Sequence, residues 1–161
     1  MADSKSMGVE AGKGEDVGVV ALFNASDDTI DMVKGLLAEI DEGHTLVWCH
    51  FADLKKGVVN FQKCMEKHDP DLVIFDISPP YDENWTYFKT MRDSRIMKGR
   101  GTVLTTTNKS RLDAVLKEDS MALEVVGLPE DLKLIKDAIQ KESARVSPAR
   151  RATVKQSAHV R

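Results

Sequence analysis

Apolar residues in this chain gather into five short runs: Val17–Phe23, Thr45–Cys49, Leu72–Phe75 after Asp71, Gly101–Thr105 and Leu123–Val126. A brief run with few polar breaks is the pattern of a strand buried on both faces. Between the runs, apolar positions recur every three or four residues, as on one face of a helix. Ser26-Asp-Asp-Thr29 offers a helix start, and Ile30, Val33, Leu36, Leu37 and Ile40 follow at that spacing, with Gly43 beyond. The same spacing predicts a second helix over Ala52–His68, with Leu54, Val58, Phe61 and Met65 on one stripe. Pro70 ends it, and Ser78-Pro-Pro-Tyr81 cannot continue regular structure. Asn84–Met91 makes a third helix with Trp85, Phe88 and Met91 inward. Asn108 caps a fourth that carries Leu112, Val115 and Leu116. Pro129 opens a fifth, carrying Leu132, Ile135 and Ile139.

Strand and helix therefore alternate five times. That order predicts an α/β protein, with a parallel sheet covered on both faces by right-handed crossovers. In such a sheet the functional crevice lies at the carboxyl ends of the strands. Those ends are Asn24–Asp28, Asp76–Tyr81, Thr105–Asn108 and Gly127–Glu130.

Composition narrows the class. With 161 residues, 42% of them hydrophobic and 30% charged, the chain fits one globular domain. Its apolar runs are too short to span a bilayer, and Met1–Asp16 lacks the apolar centre of a secretory signal. Cys49 and Cys64 make neither a disulfide framework nor a metal spacing, so the expected compartment is the reducing cytoplasm. Residues 1–16 read as a disordered leader, 17–142 as the domain and 143–161 as a disordered tail. That tail carries Arg145, Arg150, Arg151, Lys155 and Arg161 with no acid. The net charge of −3 therefore hides an acidic globule with a basic end. A nucleic-acid-binding domain would gather its cations on a folded face instead.

Asp76 is the residue that asks for an explanation. A carboxylate directly after a wholly apolar strand is costly to desolvate unless something binds it. Alone it reads equally well as a functional acid or as a plain loop acid or helix cap. A haloacid-dehalogenase-type phosphatase would need a second acid two residues on, where this chain has Ser78. Gly12-Lys-Gly14 and Gly99-Arg-Gly101 precede strands, whereas phosphate-cradling loops follow them. The four histidines are dispersed and share no ligand spacing.

Val73-Ile-Phe-Asp76-Ile-Ser-Pro-Pro80 resembles the phosphoacceptor strand of response-regulator receiver domains, in which Pro follows the Asp by four residues. Val103-Leu-Thr-Thr106 resembles that family's next strand, which ends in Thr or Ser. Val125-Val-Gly-Leu128-Pro129 resembles the last strand, which ends in Lys-Pro. The resemblance spans residues 17–141. It implies a flavodoxin-like (βα)5 three-layer sandwich, its five parallel strands in the order 2-1-3-4-5. It also implies that Asp76 is the phosphoacceptor and Thr106 the switch hydroxyl. Magnesium would be held by Asp76, by the main-chain carbonyl of Ser78 and by acids at the end of the first strand.

Three positions depart from the family. Asn24 and Ala25 stand where its acidic pair would be; Asn24 offers only a neutral oxygen, and Asp27 is the nearest substitute. Leu128 replaces the lysine, and Val125 the aromatic of the switch. Losing one positioned charge-stabilising partner costs about 3 kcal/mol of transition-state stabilisation. The chain is therefore expected to be a stand-alone atypical receiver. It would either accept phosphate weakly at Asp76, with weakened Mg2+ binding, or act as a pseudo-receiver through protein contacts. The implied partners are a histidine kinase or phosphotransfer protein and a downstream protein target, and a homodimer is compatible. The alternative is a flavodoxin-like adaptor in which Asp76 is a loop acid. No base, metal cluster or cofactor loop points to an enzyme.

Overall fold

The computed structural model describes residues 7–10, 18–24, 27–39, 44–118, 121–124 and 129–159, with side chains up to Val146. Its six strands are β1 (Gly8–Glu10), β2 (Gly18–Asn24), β3 (His44–His50), β4 (Leu72–Ile77), β5 (Gly101–Thr106) and β6 (Leu123–Glu124). Its helices are α1 (Asp27–Ala38), α2 (Phe51–Lys55), α3 (Phe61–His68), α4 (Tyr81–Arg92), α5 (Lys109–Leu116) and α6 (Pro129–His159). The sheet runs β1-β3-β2-β4-β5-β6. All pairings from β3 to β6 are parallel, in the order expected for the five predicted strands.

The sixth strand is a correction. Within residues 1–16, expected to be without structure, Gly8–Glu10 pairs antiparallel with β3 and extends the sheet at that edge. Its local sequence is too short and too Gly-rich to announce a strand; the edge of β3 supplies the order. Gly8 is required there, because a Cβ would run into the Trp48 indole. The other terminus differs too. The helix that begins at Pro129 continues through residues 143–159, beyond the predicted end of the periodicity.

The second predicted helix is two. α2 ends at Lys55, Gly57 takes a positive φ of 77°, and Asn60 caps α3 by accepting the Lys63 amide at 2.9 Å. Val58, placed on the buried stripe by a continuous helix, is 38% exposed, and Val59 is buried in its stead. Val115 is likewise exposed, although Leu112 beneath it is fully buried.

Strand alternation divides the core into two layers. Val20, Leu22, Leu72, Ile74 and Val103 pack under α1 and α6, meeting Ile30, Val33, Ile135 and Ile139. Ala21, Phe23, Val73, Phe75 and Leu104 face α2–α5. There Phe23 stacks on Phe75 and Phe88 meets Phe75 edge-on, with ring centroids 5.5 and 5.0 Å apart.

Candidate functional site

Asp76 lies inside β4, not beyond it. The strand runs one residue further than the apolar run suggested, and Asp76 stands in register with Thr105 on β5. It shares the face of Leu72 and Ile74, so its carboxylate turns toward the α1/α6 layer and is only 2% exposed. The Thr105 hydroxyl donates to Asp76 Oδ1 at 2.8 Å. Burial of a carboxylate is tolerated where hydrogen bonds answer it.

Alternation also sends Thr106 to the opposite layer. Its hydroxyl donates to the main-chain carbonyl of Ile77 at 2.8 Å and lies 3.4 Å from the Asn108 amide. The hydroxyl that reaches Asp76 is therefore that of Thr105, not the expected Thr106. The signal was available: on adjacent parallel strands only residues of matching parity share a face, and two adjacent threonines cannot both do so.

Of the expected magnesium ligands, Asn24 follows Phe23, the register partner of Phe75, and so lies beside Asp76, whereas Asp27 turns elsewhere. Asn24 ends β2 on the same face as Asp76 and is fully buried. Asp27 begins α1 and is 82% exposed, its carboxylate 3.3 Å from His50 Nε2 on β3, the strand on the far side of β2 from β4. The Ser78 carbonyl accepts a hydrogen bond from Asn84 Nδ2 at 2.8 Å. Among the described residues no three His, Cys, Asp or Glu side chains are grouped to hold a metal. Asp76 and Asn24 offer a cation one carboxylate and one neutral oxygen, a weak set for Mg2+. Ala25, Leu128 and Val125 lie outside the described residues.

A different polar chain organises the loop after β4. Asn84 is buried on the first turn of α4. It donates to Ser78 and accepts from Lys55 Nζ at 2.8 Å, while Lys55 also lies 3.4 Å from Glu83. No local pattern announces this link, since Lys55 and Asn84 are 29 residues apart. Its effect is to tie α2 to the loop and to occupy the Ser78 carbonyl.

No protein-family model matches the chain, and no curated protein matches it. Among solved structures it is similar to the manganese-bound form of the response regulator Rcp1. The two are 17% identical, with a TM-score of 0.54 over 80% of this chain and 94% of that one. It is also similar to the pseudo-receiver domain of the CikA protein, at 12% identity and a TM-score of 0.41 over 74% of this chain and 93% of that one. The likeness to Rcp1 is a likeness of fold: the chain has the flavodoxin-like architecture of receiver domains.

Proposed function

We propose that this receiver-fold domain is a pseudo-receiver, a non-enzymatic signalling module that acts by protein contact and does not accept phosphate at Asp76. One observation carries the reading: the Asp76 carboxylate is 2% exposed inside β4 and is held by the Thr105 hydroxyl at 2.8 Å. A nucleophile must meet its phosphoryl donor in line, and a buried, hydrogen-bonded oxygen is not presented for that attack. The displacement of Asp27 toward His50 and the engagement of Ser78 by Asn84 support the same conclusion. Asp76 then serves as an internal link between β4 and β5. The partners in this reading are a histidine kinase or phosphotransfer protein of a two-component pathway and a downstream target, in the cytoplasm. No helix among the described residues is long and apolar enough to cross a membrane.

Intact mass after incubation with acetyl phosphate and magnesium tests the proposal. The expected result is no added phosphate on the wild-type chain, with partner capture by a histidine phosphotransfer domain equal for wild type and Asp76→Asn. A gain of one phosphate that disappears in Asp76→Ala would overturn it and make the chain a working receiver.

A further inference from the structure

A second feature lies away from Asp76 and does not depend on how that residue is read. β6 pairs with Thr105 and Thr106, and among the described residues the first half of β5 has no parallel neighbour on that side. A groove of about 370 Å³ opens along that flank, between α4 and α6. Its floor is apolar, formed by Trp85, Phe88, Val103 and Met121, and Met121 is 90% exposed. That volume falls within the range of small-molecule sites.

The rim sets the sign of the occupant. Arg92, Lys141 and Glu142 stand around the mouth. The acid is already answered: Arg145 pairs with Glu142 at 2.8 Å, and the Thr102 main-chain amide donates to it, which holds its carboxyl below the usual range. Arg92 has its guanidinium 5.5 Å from the centroid of Phe88 and 3.0 Å from Asp93, a residue 68% exposed. Lys141 is exposed at the mouth. With Glu142 answered by Arg145 and Arg92 by Asp93 at two points, Lys141 leaves the mouth of the apolar trough with a net positive charge.

We propose that this groove binds a small amphipathic anion, its chain or ring laid on Trp85, Phe88 and Met121 and its head group at Lys141 and Arg92. Apolar burial supplies affinity, and the exposed cations at the mouth supply the preference for a negative charge. The chain has two tryptophans, so a Trp48→Phe background makes Trp85 the sole indole reporter. Titration of the full chain with decanoate should give a saturable change in Trp85 fluorescence. Decanol and decyltrimethylammonium should bind about tenfold more weakly or worse. Arg92→Glu with Lys141→Glu should reverse that order, and Ala138→Phe, which fills the trough, should abolish the signal while far-UV circular dichroism is unchanged. Equal binding of decanoate and decanol, a change that does not saturate, or full binding by Ala138→Phe would each overturn the site. Should the filled variant fail to fold, the charge reversal alone decides: an unchanged preference for the anion rejects the proposal.

Discussion

At the scale of single residues, the carboxylate offered as a nucleophile is enclosed by the sheet. Asp76 is in the sheet, and Thr105 is the neighbour whose hydroxyl meets it. Removing that donor while keeping the shape leaves a buried carboxylate oxygen short of a partner, which costs about 1–3 kcal/mol. Thr105→Val is therefore expected to lower the unfolding free energy by about that amount in urea titrations. Thr106→Val removes a bond to the Ile77 carbonyl and not to the carboxylate, so its cost should be smaller. If the two variants are equally stable, the link between Asp76 and Thr105 has no energetic weight. Which threonine mattered was legible only in part: the sequence shows both, and the register that selects one is a pairing across 29 residues.

At the scale of elements, the least expected feature is β1, a three-residue strand whose place depends on one glycine. The indole of Trp48 rests against Gly8 and carries Lys34 Nζ of α1 4.3 Å from its ring centroid. Gly8→Val should push the strand off β3. Hydrogen exchange should then accelerate at Gly8–Glu10 and at their partners Leu46–Trp48, while β4 and β5 keep their protection. Unchanged exchange at Leu46–Trp48 would show that the strand does not depend on that close approach. The divided second helix makes a related point. Its apolar spacing runs on through the break, so periodicity predicted one helix; Gly57 and the Asn60 cap impose two.

At the scale of the whole molecule, titrating groups at two places bound the pH range of stability. Cys49 on β3 and Cys64 on α3 are buried in the layer between the sheet and α2–α5. Burial pushes the Cys64 thiol up from 9.0 to about 11, and it pushes Cys49 up further, with the neighbouring Cys64 adding to the effect. The folded state therefore favours the neutral thiols. That contribution is complete below pH 9.0 and is lost as pH rises toward about 11. Glu142 acts in the opposite direction. Its carboxyl is held down chiefly by the hydrogen bond from Arg145, so its contribution is present above 4.5 and lost as the carboxyl is protonated below that. Desolvation holds the His68 imidazole below 6.5, so its contribution is lost as pH falls from 6.5. The urea midpoint should therefore be highest between about 6.5 and 9.0, and Cys64→Ala should make the alkaline limb shallower while Cys49 keeps part of it. A midpoint that holds steady to pH 11 in the wild type would contradict the burial of both thiols.

The sequence by itself determined the alternation of elements, the parallel pairing of five strands, the two apolar layers and the position of Asp76 near a strand end. The alternation and the layers follow from local periodicity and the parallel pairing from the handedness of crossovers, whereas the order of the strands is implied only by the resemblance to receiver domains. Only the tertiary structure decided that Asp76 is enclosed, that Thr105 holds it, that Asp27 turns to His50 and that Ser78 is taken by Asn84. The Asp76–Thr105 bond and the Asp27–His50 pair join residues far apart in the chain, and the enclosure of Asp76 depends on neighbouring strands and helices. These partners are set by strand register and helix placement, which no local pattern encodes.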